Sequence, residues 1–106
     1  MLKITGEVLR GELRASDLVG RYGGEEFCLL LRHCDPESFS RLDSRLHLAL
    51  RRRCESSLGF TVDFSAGAVR VSPGEALAGA IQRADDELYR AKHAGRARTC
   101  CADGVL

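Results

Sequence analysis

A chain of 106 residues, 44% apolar and 29% charged, is sized for one small domain with a single core and is neither disordered nor fibrous in composition. Its 16 Lys and Arg nearly balance 15 Asp and Glu, and a net charge of +1 gives no general pull toward nucleic acid or anionic lipid. No apolar run is long enough to span a bilayer, and the start, Met1 to Glu7, has no signal-peptide core, so the expected location is the cytoplasm without membrane contact.

Leu2 to Arg14 reads as a helix, with Leu2, Val8 or Leu9 and Leu13 roughly on one side. Gly6 and Gly11 weaken it, by about 1 kcal/mol each relative to Ala, so it depends on packing. From Asp17 on, Leu18, Val19 and Tyr22 are strand formers, Gly23-Gly24 supplies the positive φ of a tight turn, and Phe27 to Leu31 follows as a second arm. That arm is apolar at every position and so is expected to be covered on both faces, as in a central strand. Asp35-Pro36 opens a helix as cap and first residue. Phe39, Leu42, Leu46, Ala49 or Leu50 and Cys54 then recur at helical spacing opposite Arg41, Asp43, Arg45, Arg51 and Arg52, as far as Ser57, Leu58 and Gly59.

Phe60 to Arg70 alternates as a strand does, with small residues on one face, until Ser72-Pro73-Gly74 breaks the pattern. Leu77, Ala80, Ile81, Ala84, Leu88 and Ala91 form a helical stripe that Gly95 stops. Arg96 to Cys101 reads as a short edge strand and Ala102 to Leu106 as a frayed tail. Five cysteines (Cys28, Cys34, Cys54, Cys100, Cys101) lack C-x-x-C spacing and suggest neither a disulfide framework nor a zinc site. Cys28 and Cys54 are expected as reduced core residues, and His33, His47 and His93 as surface residues. The order of elements gives a single α+β domain over residues 1–106, an antiparallel sheet covered by helices.

The unusual stretch is Arg21-Tyr22-Gly23-Gly24-Glu25-Glu26-Phe27. Adjacent carboxylates at the tip of an apolar hairpin repel each other, and a cation, or a polyphosphate with its metal, would resolve the conflict. The bare backbone of Gly23 and Gly24 lets a phosphate approach closely. This stretch resembles the hallmark of the GGDEF domain, the diguanylate cyclase that condenses two GTP into cyclic di-GMP. Three further segments are similar to that family: Arg14-x-x-Asp17, separated from Gly23 by five residues; Thr61-Val-Asp-Phe-Ser-Ala-Gly67; and Ala84-Asp85-x-x-Leu88-Tyr89-x-Ala91-Lys92-x-x-Gly95-Arg96.

The resemblance implies the ferredoxin-like palm of nucleotidyl cyclases, N-terminally truncated, working as a homodimer with Mg2+. It gives Glu25 the metal-ligand and proton-acceptor roles with Glu26 beside it, leaves room for the nucleotide at Gly23 and Gly24, and sets Lys92 and Arg96 on the phosphates. It makes Arg14 and Asp17 the inhibitory cyclic di-GMP site, which Arg45 or Arg41 from the next helix would extend. Read without the family, Lys92 and Arg96 are cations answering a helix dipole, and Arg14 and Asp17 a surface ion pair. The family's opening strand, an Asp-x-Asp-x-Phe-Lys type, and its guanine-reading Asn have no counterpart here, and Ala97 stands where asparagine is usual. The expectation is therefore a cyclase portion inactive alone, or a non-catalytic cyclic di-GMP-binding signalling module.

Overall fold

The computed structural model describes residues 2–24, 26–101 and 104–105, the last two and Leu2 by their backbone only. The elements run α1 (Leu2–Glu12), β1 (Leu18–Gly23), β2 (Glu26–Leu30), α2 (Pro36–Leu58), β3 (Ala66–Ala68), α3 (Leu77–His93), β4 (Thr99–Cys101) and β5 (Gly104–Val105). They fall into two compact units, one ending at Val62 and one beginning at Asp63. The first combines two helices with a small sheet and the second one helix with another, so the α+β expectation holds. None of the helices is long and apolar enough to cross a membrane, among the described residues.

In the first unit α1 packs against α2. Val8 and Leu9 of α1 and Leu42, Leu46, Leu50 and Cys54 of α2 are the buried apolar residues. Glu7 pairs with Arg53 at 2.6 Å and Glu12 with Arg45 at 3.4 Å, a crossed order that makes the two helices antiparallel. Hydrogen bonding to Arg53 holds the Glu7 carboxyl below its usual range. α2 starts as its sequence asks: Asp35 caps it by accepting from Ser38 N–H at 2.7 Å, Pro36 fills the first turn, and Gly59 ends it at φ 80°. Two expectations for α2 fail. Asp43 and His47 are both buried, Nε2 to Oδ1 3.5 Å apart, because the stripe of this long helix is wide enough to enclose a polar i, i+4 pair.

β1 and β2 form an antiparallel hairpin from Leu18↔Leu30 to Gly23↔Glu26, with Tyr22 as the extra residue of a bulge. β2 is half-buried at all five positions and pairs with β1 alone among the described residues. Its predicted place at the centre of a sheet is thus not met: an apolar run shows that a strand tolerates cover on both faces, and supplies no partner.

In the second unit β3, β4 and β5 lie in that order, β3 parallel to β4 and β4 antiparallel to β5. The strand expected over Phe60 to Arg70 shortens to Ala66–Ala68 because its partner β4 is itself three residues long. β4 is shorter than expected because Gly95, Arg96 and Ala97 all take positive φ (121°, 61°, 49°), which no strand permits. It is also not an edge: β3 and β5 flank it, and Thr99 and Cys100 are 1% exposed. The frayed tail is corrected at Gly104–Val105, which pairs with β4; residues 102, 103 and 106 lie outside the described residues.

α3 lies across β3 and β4. Ala80 and Ala91 of its predicted stripe are buried, while Leu77 is 55% exposed and Glu87 is enclosed instead, its carboxylate bonded to Arg90 Nη1 at 2.6 and 2.8 Å. Arg83 ties the preceding turn to the helix: it bonds both oxygens of Glu75 and the carbonyl of Arg70, and the Glu75 carboxyl is held below its usual range by that guanidinium. None of the five cysteines is joined in a disulfide; Cys54 and Cys100 are buried and Cys28 is half-buried.

Candidate functional site

The hairpin turn is built around its second glycine. Gly24 sits at φ 42°, and Arg21 folds back so that Nε and Nη2 both donate to the Gly24 carbonyl, at 3.0 and 2.7 Å. Gly23 closes β1. Glu26 is not at the tip but opens β2 opposite Gly23, half-buried. Glu25, to which the resemblance assigns the metal, lies outside the described residues.

Arg14 and Asp17 do meet, in the loop that leaves α1. Asp17 Oδ2 accepts from the Arg14 backbone N–H at 3.0 Å and from Arg14 Nε at 3.4 Å; Oδ1 accepts from Arg14 Nη2 at 3.4 Å and from the Arg32 backbone N–H at 3.2 Å. Arg14 Nη2 also donates to the Arg32 carbonyl. The pair therefore fastens the α1–β1 loop to the end of β2, a staple that sequence reasoning missed because the Arg32 contribution is all backbone. The Asp17 side chain is 2% exposed and that of Arg14 54%. Burial pushes the Asp17 carboxyl up, but the donors of Arg14 and Arg32 prevail and hold it below the ordinary carboxylate range.

The exposed part of Arg14 faces a cleft of about 190 Å3 whose walls include Asp17, Arg41 and Arg45. α2 presents Arg41 and Arg45 four residues apart on one face. Neither is bare: Arg41 pairs with Glu37 at 3.0 Å, and Arg45 with Glu12 at 3.4 Å. Both guanidinium groups are largely open to water, so each of these pairs is weak. Ser38 and Cys34 line the same cleft and were not foreseen. The position of Ser38 one turn into a capped helix could have suggested it.

In the second unit Lys92 lies in the last turn of α3, exposed. Arg96 comes after the helix, at its exit. Gly95 turns the chain, Arg96 N–H closes the helix end on the Ala91 carbonyl at 3.0 Å, and Arg96 itself stands exposed at φ 61°. Ala97 continues the left-handed path at φ 49° while its N–H donates to Ser65 Oγ at 3.2 Å. An asparagine would hold that conformation with less strain than alanine.

The described carboxylates of the first unit do not make a magnesium site. Glu7, Glu12, Asp17 and Glu37 are each engaged by an arginine, Asp43 faces His47, and no cluster of His, Cys, Asp and Glu among the described residues could hold a metal ion.

Comparison with known proteins gives these geometries a context. The family model described as diguanylate cyclase, GGDEF domain, matches residues 1–98. Among curated proteins, the diguanylate cyclase DgcP of Pseudomonas aeruginosa is 39% identical over 100 residues, 92% of this chain and 15% of the relative. DgcM of Escherichia coli is 38% identical over 90 residues, 84% of this chain and 22% of the relative. This chain thus spans under a quarter of either protein. Among solved structures, the GGDEF domain of DgcB from Caulobacter crescentus, in complex with c-di-GMP, aligns with a TM-score of 0.82 at 26% identity, over 97% of this chain and 63% of that one. The diguanylate cyclase SiaD of Pseudomonas aeruginosa, in complex with its activator SiaC, aligns with a TM-score of 0.79 at 27% identity, over 95% of this chain and 40% of that one. Hairpin, basic loop and closing helix, with a family match that runs through all three, make this chain a member of the GGDEF domain family of diguanylate cyclases.

Proposed function

We propose that this chain is a portion of a cytoplasmic diguanylate cyclase domain that, as a homodimer, joins two GTP into cyclic di-GMP with release of pyrophosphate. We further propose that Arg14, Asp17 and Arg45 bind the product and so restrain the enzyme. The observation that best supports the second part is that Arg14, Arg41, Arg45 and Asp17 line one cleft. Guanidinium forks pair bidentately with phosphate oxygens or the guanine edge, and Asp17, its oxygens taken by Arg14 and Arg32, would serve by orienting the Arg14 fork, so the arginines match the phosphates and guanine edges of a cyclic purine dinucleotide.

For synthesis, the 3′-hydroxyl of one GTP attacks the α-phosphate of the other and pyrophosphate leaves, a step that rests on positioning and charge neutralisation. Gly23 and Gly24 give the nucleotide access to the backbone, Glu25 takes the proton with Glu26 beside it, and Lys92 and Arg96 hold phosphate oxygens. Mg2+, when bound through Glu25, would neutralise the developing charge. Glu7, Glu12, Asp17 and Glu37 are engaged by arginine, Asp43 faces His47 and Asp35 caps α2, and the sequence has no Asp-x-Asp stretch before Glu25, so we infer that the chain does not complete the two-carboxylate site that such metal chemistry uses. Residues 1–106 incubated with GTP and Mg2+ are therefore expected to release no pyrophosphate, and turnover by this chain alone would overturn that account.

The same observation favours a second reading, in which the chain is a signalling module that binds cyclic di-GMP without catalysis. Calorimetry tests the cleft that both readings share. Cyclic di-GMP is expected to bind the wild-type chain, and Arg14→Ala to weaken it roughly 10- to 100-fold, the loss of one or two charge-assisted hydrogen bonds. No heat with either protein removes the product site.

A further inference from the structure

Glu12 and Asp17 both lie in the wall of the basic cleft, and they are held differently. Asp17 is sealed: both of its oxygens accept from Arg14 or from the Arg32 backbone, and its side chain is almost wholly buried. Glu12 is held loosely. It is the last residue of α1, where the helix dipole disfavours a carboxylate, and its Oε2 lies 3.4 Å from Arg45 Nε across the cleft wall. The Arg45 side chain is 56% exposed and that of Glu12 32%, so a ligand arriving from solvent reaches both. The other tie between the two helices, Glu7 to Arg53 at 2.6 Å, involves no residue of this wall.

We propose that Glu12 is a built-in competitor for this cleft, pairing with Arg45 until a phosphate of the cyclic dinucleotide takes that guanidinium. Nε is one donor of the side-on guanidinium fork, so a phosphate seated on that fork and the Glu12 carboxylate exclude each other. The displaced carboxylate then stands close to a diester of like charge, which costs the complex further affinity. α1 survives the exchange in place, because Val8 and Leu9 stay buried and Glu7 keeps Arg53. This role rests on the product-site reading and deepens it: a residue that lowers affinity for the product sets how much product must accumulate before the cleft fills. Water screens the pair, so the effect is a matter of a few fold.

The test is calorimetry of cyclic di-GMP with the wild-type chain, Glu12→Gln, Glu7→Gln, Arg45→Gln and the double variant of Glu12→Gln with Arg45→Gln. Glutamine suits a helix as well as glutamate does, so helicity by circular dichroism should be unchanged. Glu12→Gln is expected to bind about 3- to 5-fold more tightly than wild type, the factor that an exposed ion pair is worth. Glu7→Gln, which cuts the other tie between α1 and α2, should stay within about twofold of wild type. A gain there equal to that of Glu12→Gln would assign the effect to a looser α1 and overturn the proposal. In the Arg45→Gln background, itself weaker in binding, Glu12→Gln should change affinity less than about twofold, because its competition acts through Arg45. The full gain in that background would mark a general charge effect and overturn the proposal as well. Unchanged or weaker binding by Glu12→Gln alone overturns it and leaves the product site standing; no heat from either the wild-type chain or Glu12→Gln removes both.

Discussion

Gly67→Ala should destabilise the second unit by more than about 3 kcal/mol, at the upper end of what overpacking costs, because the added methyl would meet main chain. A Cβ built on Gly67 lies 2.1 Å from the Ala84 carbonyl oxygen, 2.3 Å from Leu88 N and 2.8 Å from Glu87 C. All three are backbone atoms of α3. A flexible side chain could swing away from such a contact; a helix has to lift off the sheet as a body. Doing so forfeits the dispersion contacts under Ala80 and Ala91, the buried small residues that let the helix approach so closely. The displacement would also carry Lys92 with it, so any phosphate binding that depends on Lys92 should weaken in the same variant. Gly6→Ala is the control: it lies in α1 with no atom within 4 Å of its Cβ, and should gain about 1 kcal/mol from helix propensity alone. Urea unfolding followed by helix signal measures both. A Gly67→Ala protein within about 0.5 kcal/mol of wild type would mean that α3 does not rest on β3.

How far this could be read from sequence depends on whether local chemistry or a distant partner decides each feature. α2 was legible at both ends because Asp35, Pro36 and Gly59 act on their own neighbours. The Gly23-Gly24 turn was legible for the same reason. The alternation from Phe60 to Arg70 showed strand propensity, but the length of β3 belongs to β4, and that of β4 to three consecutive positive φ angles, only the first at a glycine. Gly67 read as one small residue among several; that it marks a helix crossing is a long-range fact. At the basic cleft, the family resemblance singled out Arg14 and Asp17 and offered Arg45 or Arg41 from the next helix. That Asp17 is sealed by Arg32 was hidden, since a backbone amide contributes the same donor whatever its side chain. Asp43 and His47 misled for the opposite reason: polarity placed them outside, and their mutual pairing allows them in.

Asp17→Ala should cost the first unit about 2–3 kcal/mol, because it strands the Arg14 and Arg32 backbone N–H groups and leaves the Arg14 guanidinium without its acceptor. The guanidinium is half-exposed and water screens its share, so most of the loss comes from the two amides. The acid also makes stability depend on pH, with a definite sign. Its folded-state pKa lies below the ordinary value near 3.9, so the stabilisation is fully present above about pH 4 and disappears as the pH falls through the lower folded value. Asp17→Asn keeps one acceptor oxygen and cannot titrate: it should be less stable than wild type at pH 7, and the difference should shrink on acidification toward about pH 2. A difference constant from pH 7 to pH 2 would show that the Asp17 carboxylate is not held by these donors. The variants also separate structure from binding at the cleft. If Arg14 is positioned for a dinucleotide by its bond to Asp17, cyclic di-GMP affinity should fall in Asp17→Ala even at temperatures where the chain is fully folded, whereas a purely structural staple would leave affinity unchanged until the protein melts.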